Sequence, residues 1–313
     1  MKHFTVVNGK WDVSYNPDPP DLKILKHLID YTTEHEWSDT KSCRQLNQNA
    51  IIVGKALGLD RDIGTVNVFE INEMITEFRQ RGNTNSTINR KLAALSKLFT
   101  TAIDLELITK KPRIRKLREK ANNIRWYTDE ELKAIEEFLA PTGDWRLNPE
   151  RFQDKEESAL YFAHLVRFLA DTGLRLGEAE RLRWDDIFDN SPFVTVWESK
   201  NGKPRSVPLT KAAKNALDSL AAHPELSPGK GPFDRSRTHH QNCWKVVREH
   251  MGWLEDKQAV MHTLRHTFIS RLVQKGVNLV TIKELAGHKS IDVTMRYAHL
   301  APDNLQSAID QLN

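Results

Sequence analysis

The stretch His262-Thr263-Leu264-Arg265-His266-Thr267-Phe268 decides how the second half of this 313-residue chain is read. In a helix over residues 263–275, positions 262, 265 and 266 stand at i, i+3 and i+4, so two imidazoles and a guanidinium project from one face. Leu264, Phe268 and Leu272 lie on another face and can anchor that helix in a core. Downstream, residues 279–286 and 291–300 read as two more helices. Gly287 is a plausible C-cap, which sets His288 at a chain reversal. Ser290 can cap the next helix, leaving Tyr297 about two turns in.

Upstream, Thr172-Gly173-Leu174-Arg175-Leu176-Gly177-Glu178 follows residues 159–170, which are apolar nearly all round and predict a central helix. Residues 193–198 and 205–209 read as antiparallel strands joined through Lys200-Asn201-Gly202-Lys203. Thr128-x-x-Glu131 is a capping box opening a helix that turns Leu132, Ile135 and Leu139 inward. Helices are also predicted over 210–222 and 239–250. Residues 141–158 read as a polar loop, and a last short helix from Asp303 aligns Leu305, Ile309 and Leu312.

The first half has a different pattern. Residues 1–15 form a small hairpin around Asn8-Gly9. Apolar stripes then recur at Leu22, Leu25, Leu28 and Ile29, and at Cys43, Leu46, Ala50, Val53 and Leu57. Two more follow at Ile71, Met74, Ile75 and Phe78, and at Ile88, Leu92, Leu95, Phe99 and Ile103. Four such helices close a bundle over residues 16–112, ended by Pro112. Residues 113–125 read as a basic linker and 126–313 as a second domain. The fold class is therefore mainly α with a small antiparallel β-sheet, in two domains.

Net charge is only +4, but from Arg79 to Arg125 thirteen Lys/Arg face three acids, and Lys110 to Lys120 holds seven bases in eleven positions. That density points to a polyanion partner, since neutralised phosphates release counterions; a solvated basic linker is the bland alternative. Cys43 and Cys243 belong to no Cys/His cluster, which argues against zinc and a disulfide framework and suggests a reducing compartment. No apolar run approaches the roughly 18 residues of a membrane span, and the N-terminus does not read as a signal peptide.

Singly, the polar residues above are weak signals. An arginine near a helix start is most often a surface ion pair, a lone histidine is usually packed or exposed, and a lone tyrosine is amphipathic core. Together they suit phosphoryl transfer: two arginines to grip non-bridging oxygens, a phenol as nucleophile, and a lysine to protonate a leaving oxygen. No paired carboxylates suggest a two-metal nuclease, no Gly-rich nucleotide loop is present, and no metal or cofactor is expected.

Residues 125–300 resemble the catalytic domain of tyrosine recombinases, especially phage and genomic-island integrases. The resemblance rests on Thr172-Gly173-Leu174-Arg175, Lys200 with Arg205-Ser206-Val207-Pro208-Leu209, and His262-x-x-Arg265-His266. It continues through Leu285-Ala286-Gly287-His288 and Arg296-Tyr297-Ala298-His299, with nine residues from His288 to Tyr297. It implies a helical core-binding domain plus a mixed α/β catalytic domain. Tyr297 is then the nucleophile forming a 3′-phosphotyrosine, Arg175 and Arg265 clamp the phosphate, and Lys200 protonates the leaving oxygen. His262 acts as acid/base towards the tyrosine, His288 bonds a non-bridging oxygen, and Glu178 is the supporting carboxylate. His266, Lys203, Arg296 and His299 have weaker claims.

Arg90, Lys91 and Lys97, and on the catalytic side Lys245 and Arg248, are candidate DNA contacts. The implied partners are double-stranded DNA attachment sites, a homotetramer on DNA, and DNA-bending or excision accessory proteins. The expected location is a bacterial host cytoplasm. Two other readings stay open: a catalytically idle DNA-binding relative, and a type IB topoisomerase. Within the recombinases, chromosome-dimer resolvase and invertase stand beside integrase.

Overall fold

The computed structural model describes residues 5–7, 10–12, 20–119, 124–147, 155–187, 192–197, 204–227 and 229–302. The chain divides into two compact units, Met1–Asn122 and Asn123–Asn313.

In the first unit β1 (Thr5–Val7) pairs antiparallel with β2 (Lys10–Asp12), with Val6 opposite Trp11. The expected Asn8-Gly9 turn lies outside the described residues. Four helices follow: α1 (Leu25–His35), α2 (Cys43–Leu57), α3 (Val68–Gln80) and α4 (Asn85–Asp104). The capping box at the start of α3 is reciprocal. Asn67 accepts from the Phe69 and Glu70 N–H groups, and Glu70 accepts from the Asn67 N–H. The predicted stripes close one core, in which Leu25, Leu28, Ala50, Val53, Ile88, Leu95 and Leu98 are fully buried. Leu22 precedes α1 and is only half-buried.

Residues 113–119 depart from the free linker that their charge predicts. Ile114 and Leu117 pack against the bundle. Asn89 of α4 donates to the Leu117 carbonyl and accepts from its N–H, at 2.9 and 2.8 Å, as a second strand would. The basic residues here are displayed from a segment held by amide side chains rather than from a loose tether.

Three candidate DNA contacts sit on α4. Arg90 is exposed, as expected. Lys91 is not: its side chain is buried, its ammonium donates to Asn83 at 2.8 Å, and it lies 4.0 Å from the Phe78 ring centre. A cation so placed is satisfied internally, which corrects its reading as an open backbone contact. Lys97 is committed to Glu36 at 2.6 Å.

The second unit is built around α6 (Lys155–Thr172), whose Tyr161, Phe162, Leu165 and Phe168 are fully buried. Against it pack α5 (Asp129–Leu139), α8 (Lys211–Ala222), α9 (Arg237–His250) and α10 (His262–Gln274). Between α6 and α8 come a one-turn helix α7 (Leu176–Ala179) and the two-stranded antiparallel sheet. Its strands β3 (Phe193–Val196) and β4 (Arg205–Pro208) pair Val194 with Val207, which face the core with Val196. After α10 come α11 (Leu279–Ala286) and α12 (Ile291–Met295).

Two predicted boundaries and one predicted contact are corrected. The polar loop 141–158 contains a 3₁₀ turn, Asp144–Leu147, and its last residues belong to α6. Trp145 explains the turn: its ring is buried and its Nε1–H donates to the Ala140 carbonyl at 2.8 Å. The helix predicted over 291–300 stops at Met295, and a 3₁₀ turn Ala298–Leu300 follows. Arg248 was expected to reach a groove, but one of its nitrogens donates to the carbonyls of Trp253, Leu254 and Asp256, so it ties down the turn after α9. Lys245 stands exposed on that helix. The tail helix expected from Asp303 lies outside the described residues. Among the described residues no helix is long and apolar enough to cross a membrane.

Truncating the central helix tests this packing. Leu165→Ala, at a site with 0% exposure, is expected to cost about 3 kcal/mol in urea unfolding. Phe69→Ser, at a position 72% exposed, is expected to leave the midpoint within about 0.5 kcal/mol of the parent.

Candidate active site

The site begins with a glycine that no other residue can replace cheaply. Gly173 ends α6 at φ +63°, and a Cβ there would lie 2.2 Å from the Phe268 ring of α10. The chain can therefore turn sharply against α10 and present Arg175 as the N-cap of α7. Glu178, one turn on, accepts from the Arg175 N–H at 3.0 Å and from its guanidinium at 2.9 Å. Arg205 of β4 reaches the same carboxylate in a two-pronged contact at 2.7 and 3.2 Å. Glu178 is 3% exposed. Burial alone would raise its pKa, but the Arg205 and Arg175 bonds outweigh that and hold the carboxyl down at about 2.

Arg265 occupies the middle. It is 3% exposed, and its guanidinium donates to the Gly173 carbonyl at 2.7 Å and to the Ala286 carbonyl at 2.5 Å. Those carbonyls belong to the turn after α6 and to the end of α11, so one side chain fixes two chain reversals. The second reversal is the left-handed cap at Gly287, φ +63°, whose absent Cβ leaves room for the Arg205 guanidinium. Burial, then the like charge of Arg175, lowers Arg265 to about 9, still protonated at neutral pH. Two of its five N–H groups go to carbonyls, which leaves donors for an anion.

Just past the Gly287 cap, His288 is 9% exposed, with Nδ1 2.8 Å from the Thr294 hydroxyl. Burial, then the charges of Arg265 and Arg175, push it down to about 3, so the imidazole is neutral. Tyr297 sits just beyond the end of α12, 2% exposed, in a cluster with Ile124, Ile269, Val273, Ile282 and Ala286. Burial raises its pKa, and the Arg265 and Arg296 charges oppose that rise. Its hydroxyl is hydrogen-bonded to His266 Nδ1. His262 is exposed, with its ring centre 4.9 Å from that of His266.

Residues 175, 178, 265, 288 and 297 thus come from four separate segments to one electrostatic centre, with His262 on its solvent side. Lys200 and Lys203 lie outside the described residues. Two members were under-read in the sequence. In the sequence Arg205 stands only within a strand motif, because its spacing from Glu178 carries no local signal. From the sequence His266 has a weaker claim than His262, yet it is the histidine in hydrogen-bond contact with the phenol. Its place one turn beyond His262 was the available clue. Among the described residues no group of three or more His, Cys, Asp and Glu is arranged to hold a metal ion.

Because Glu178 is depressed to about 2 from 4.5, its contribution to stability is present above pH 4.5 and is lost as the pH falls towards 2. Glu178→Gln leaves two arginines facing a neutral amide and is expected to cost on the order of 3 kcal/mol at pH 7. Thermal unfolding from pH 2 to 7 should show the parent losing stability across that window and the variant with a flatter profile.

The chain is similar to known proteins over most of its length. Residues 147–304, just over half of the chain, match the sequence profile of the phage integrase family. The chain is 32% identical over 235 residues to the integrase of Escherichia phage P2, covering 74% of this chain but only 60% of that relative. It is 29% identical over 265 residues to a tyrosine recombinase of Pseudothermotoga lettingae, covering 81% and 85% of the two chains. Among solved structures, the Tn1549 transposon integrase in complex with a circular intermediate DNA aligns with a TM-score of 0.74 at 16% identity, over 93% of this chain and 100% of that one. A lambda integrase dimer bound to a core site aligns with a TM-score of 0.64 at 19% identity, over 87% and 76%. The profile match spans Arg175, Glu178, Arg205, Arg265, His288 and Tyr297, and the chain belongs to the phage integrase family.

Proposed function

We propose that this protein is a site-specific tyrosine recombinase, an integrase that cleaves and rejoins double-stranded DNA at attachment sites through a 3′-phosphotyrosine at Tyr297. The observation that carries the reading is the convergence of a buried, charged Arg265 with Arg175, His288 and the Tyr297 phenol. Relatives of 32% and 29% identity that are an integrase and a tyrosine recombinase support it.

In this reading the scissile phosphate takes the place for which the guanidiniums compete with each other. Its non-bridging oxygens accept from Arg175, from the remaining N–H groups of Arg265, and from the neutral His288 imidazole. Glu178 and Arg205 hold Arg175 in place. The Tyr297 oxygen bonds to phosphorus as the 5′-oxygen leaves, and Lys200 delivers the proton to that oxygen. His262 is the acid/base group that the family resemblance assigns to the tyrosine. One phosphoester replaces another, so the bond energy is kept for rejoining by a second 5′-hydroxyl. Arg90 and Lys245, both exposed, are the proposed backbone contacts, with Lys97 able to join them by leaving Glu36. The proposed assembly is a homotetramer on two DNA sites in a bacterial host cytoplasm, with DNA-bending or excision proteins as accessory partners.

The test uses nicked duplexes carrying the junction sequences that flank the gene, in which the cleaved fragment diffuses away and traps the enzyme. The parent should form a denaturant-resistant protein–DNA adduct on the 3′ side of the break. Tyr297→Phe should bind the same duplex and form none. An adduct formed by Tyr297→Phe would refute the assignment of the nucleophile.

A further inference from the structure

We propose that His240 is a positioning residue for Arg175: braced by Tyr161, it fixes Glu180 at the far end of α7 and so sets how Arg175 meets the scissile phosphate. The inference deepens the recombinase reading and rests on it.

A one-turn helix cannot hold its own direction, because its few hydrogen bonds do not offset the ordering of its residues. The apolar side of α7 gives little grip, since Ala179 offers one methyl and Leu176 is only partly buried. Its two acids have different partners. Glu178 turns to Arg175 and Arg205 at the site. Glu180, the C-cap, turns to α9, where it accepts from Arg237 at 2.6 and 3.3 Å and meets His240 Nδ1 at 3.2 Å. Gly177 leaves room for this approach. A Cβ there would lie 2.9 Å from Arg237 Nη2, so a larger residue would push the guanidinium aside.

His240 differs from the ion pair beside it. The Arg237 side chain is 57% exposed, and a pair so open to water is screened and weak. His240 is 0% exposed, and both of its ring nitrogens are engaged. Burial would raise the pKa of Glu180, but the bonds from Arg237 and His240 outweigh that and hold it below the usual value. An ionised carboxylate can only accept, so Nδ1 carries the hydrogen. Nε2 is then left to accept from the Tyr161 hydroxyl of α6 at 2.9 Å. The Tyr161 ring is also fully buried and lies within 10° of parallel to the imidazole. Burial lowers the pKa of His240, Glu180 opposes that, and Arg237 and Arg235 add to it, so the ring is neutral at pH 7. The tautomer is thus fixed from both sides. A strut runs from the central helix through α9 to the end of α7, and it acts on Arg175 through Glu180, five residues further on.

The experiment measures single-turnover adduct formation on the nicked flanking-junction duplex at saturating protein. It compares the parent with His240→Leu, His240→Gln and Tyr161→Phe, each also made in an Arg175→Ala background. Duplex binding by gel shift confirms that each variant is folded. His240→Leu offers Glu180 no donor and should lower the saturated rate about 10- to 100-fold, with duplex affinity within about twofold of the parent. His240→Gln can donate to Glu180 and accept from Tyr161, and it should recover most of that rate. Tyr161→Phe keeps the imidazole but frees its tautomer, and should fall between His240→Leu and the parent. In the Arg175→Ala background, followed over hours, none of the three should slow the reaction further, because the group they position is gone. A general loss of structure would lower the rate by the same factor in both backgrounds, and that result overturns the proposal. So does a parent-like rate in His240→Leu or Tyr161→Phe. If His240→Leu fails to bind duplex, Tyr161→Phe, which loses one oxygen, decides by the same comparison. If the parent itself forms no adduct, the recombinase reading fails and this inference falls with it.

Discussion

The structure depends on where the Arg265 guanidinium is held. A charged group that is 3% exposed has to be compensated, and here it is compensated by two main-chain carbonyls, Gly173 and Ala286, each beside a left-handed glycine turn. The arginine is therefore both a fastening between the end of α6 and the end of α11 and the centre of the site. Carbonyl dipoles offset a charge only in part, which is why burial and Arg175 still drag Arg265 down to about 9. A site organised in this way gains stability when an anion arrives.

Charge balance around that centre is deliberately incomplete. Arg175 and Arg205 share one buried carboxylate, Glu178, at 2.9 and 2.7 Å. The two histidines nearest the arginines, His266 and His288, are held neutral at about 4 and about 3. Three guanidiniums around one carboxylate leave an excess of positive charge with no buried anion from these groups to match it. A phosphodiester is the right size and charge to enter, and oriented donors already in place need little reorganisation when it does. Glu178 keeps the arginines from repelling one another in the meantime. It is a positioning group, not a participant in bond making.

The helices and the core were legible in the sequence because burial repeats along them. The stripes from Leu25 to Ile103 and the apolar run in α6 could be assigned from spacing alone, and the glycine cap at 287 marked one reversal; the left-handed turn at Gly173 came only with the structure. What was missed depends on contacts that spacing does not encode. Lys91 counts as a surface base in any tally of charge, yet Asn83 and the Phe78 ring take it inside. Arg248 sits on a helix face that reads as solvent, yet the turn after α9 bends back to use its guanidinium. The end of α12 at Met295 was also hidden, since residues 296–300 carry no proline or glycine to stop a helix. Within the site, Arg205 and His266 were present in the quoted motifs, but their partners, Glu178 and Tyr297, lie 27 and 31 residues away. Tertiary pairing, not local pattern, gives them their roles.

The account stands or falls on a phosphate being gripped where Arg265 is fastened. The most direct measurement is a crystal structure of the protein trapped on nicked duplex. The account expects continuous density from the Tyr297 oxygen to phosphorus, and non-bridging oxygens within hydrogen-bond distance of Arg175 and Arg265. The bonds from Arg265 to the Gly173 and Ala286 carbonyls should remain. A phosphate joined to any other side chain, or resting away from both guanidiniums, would contradict it.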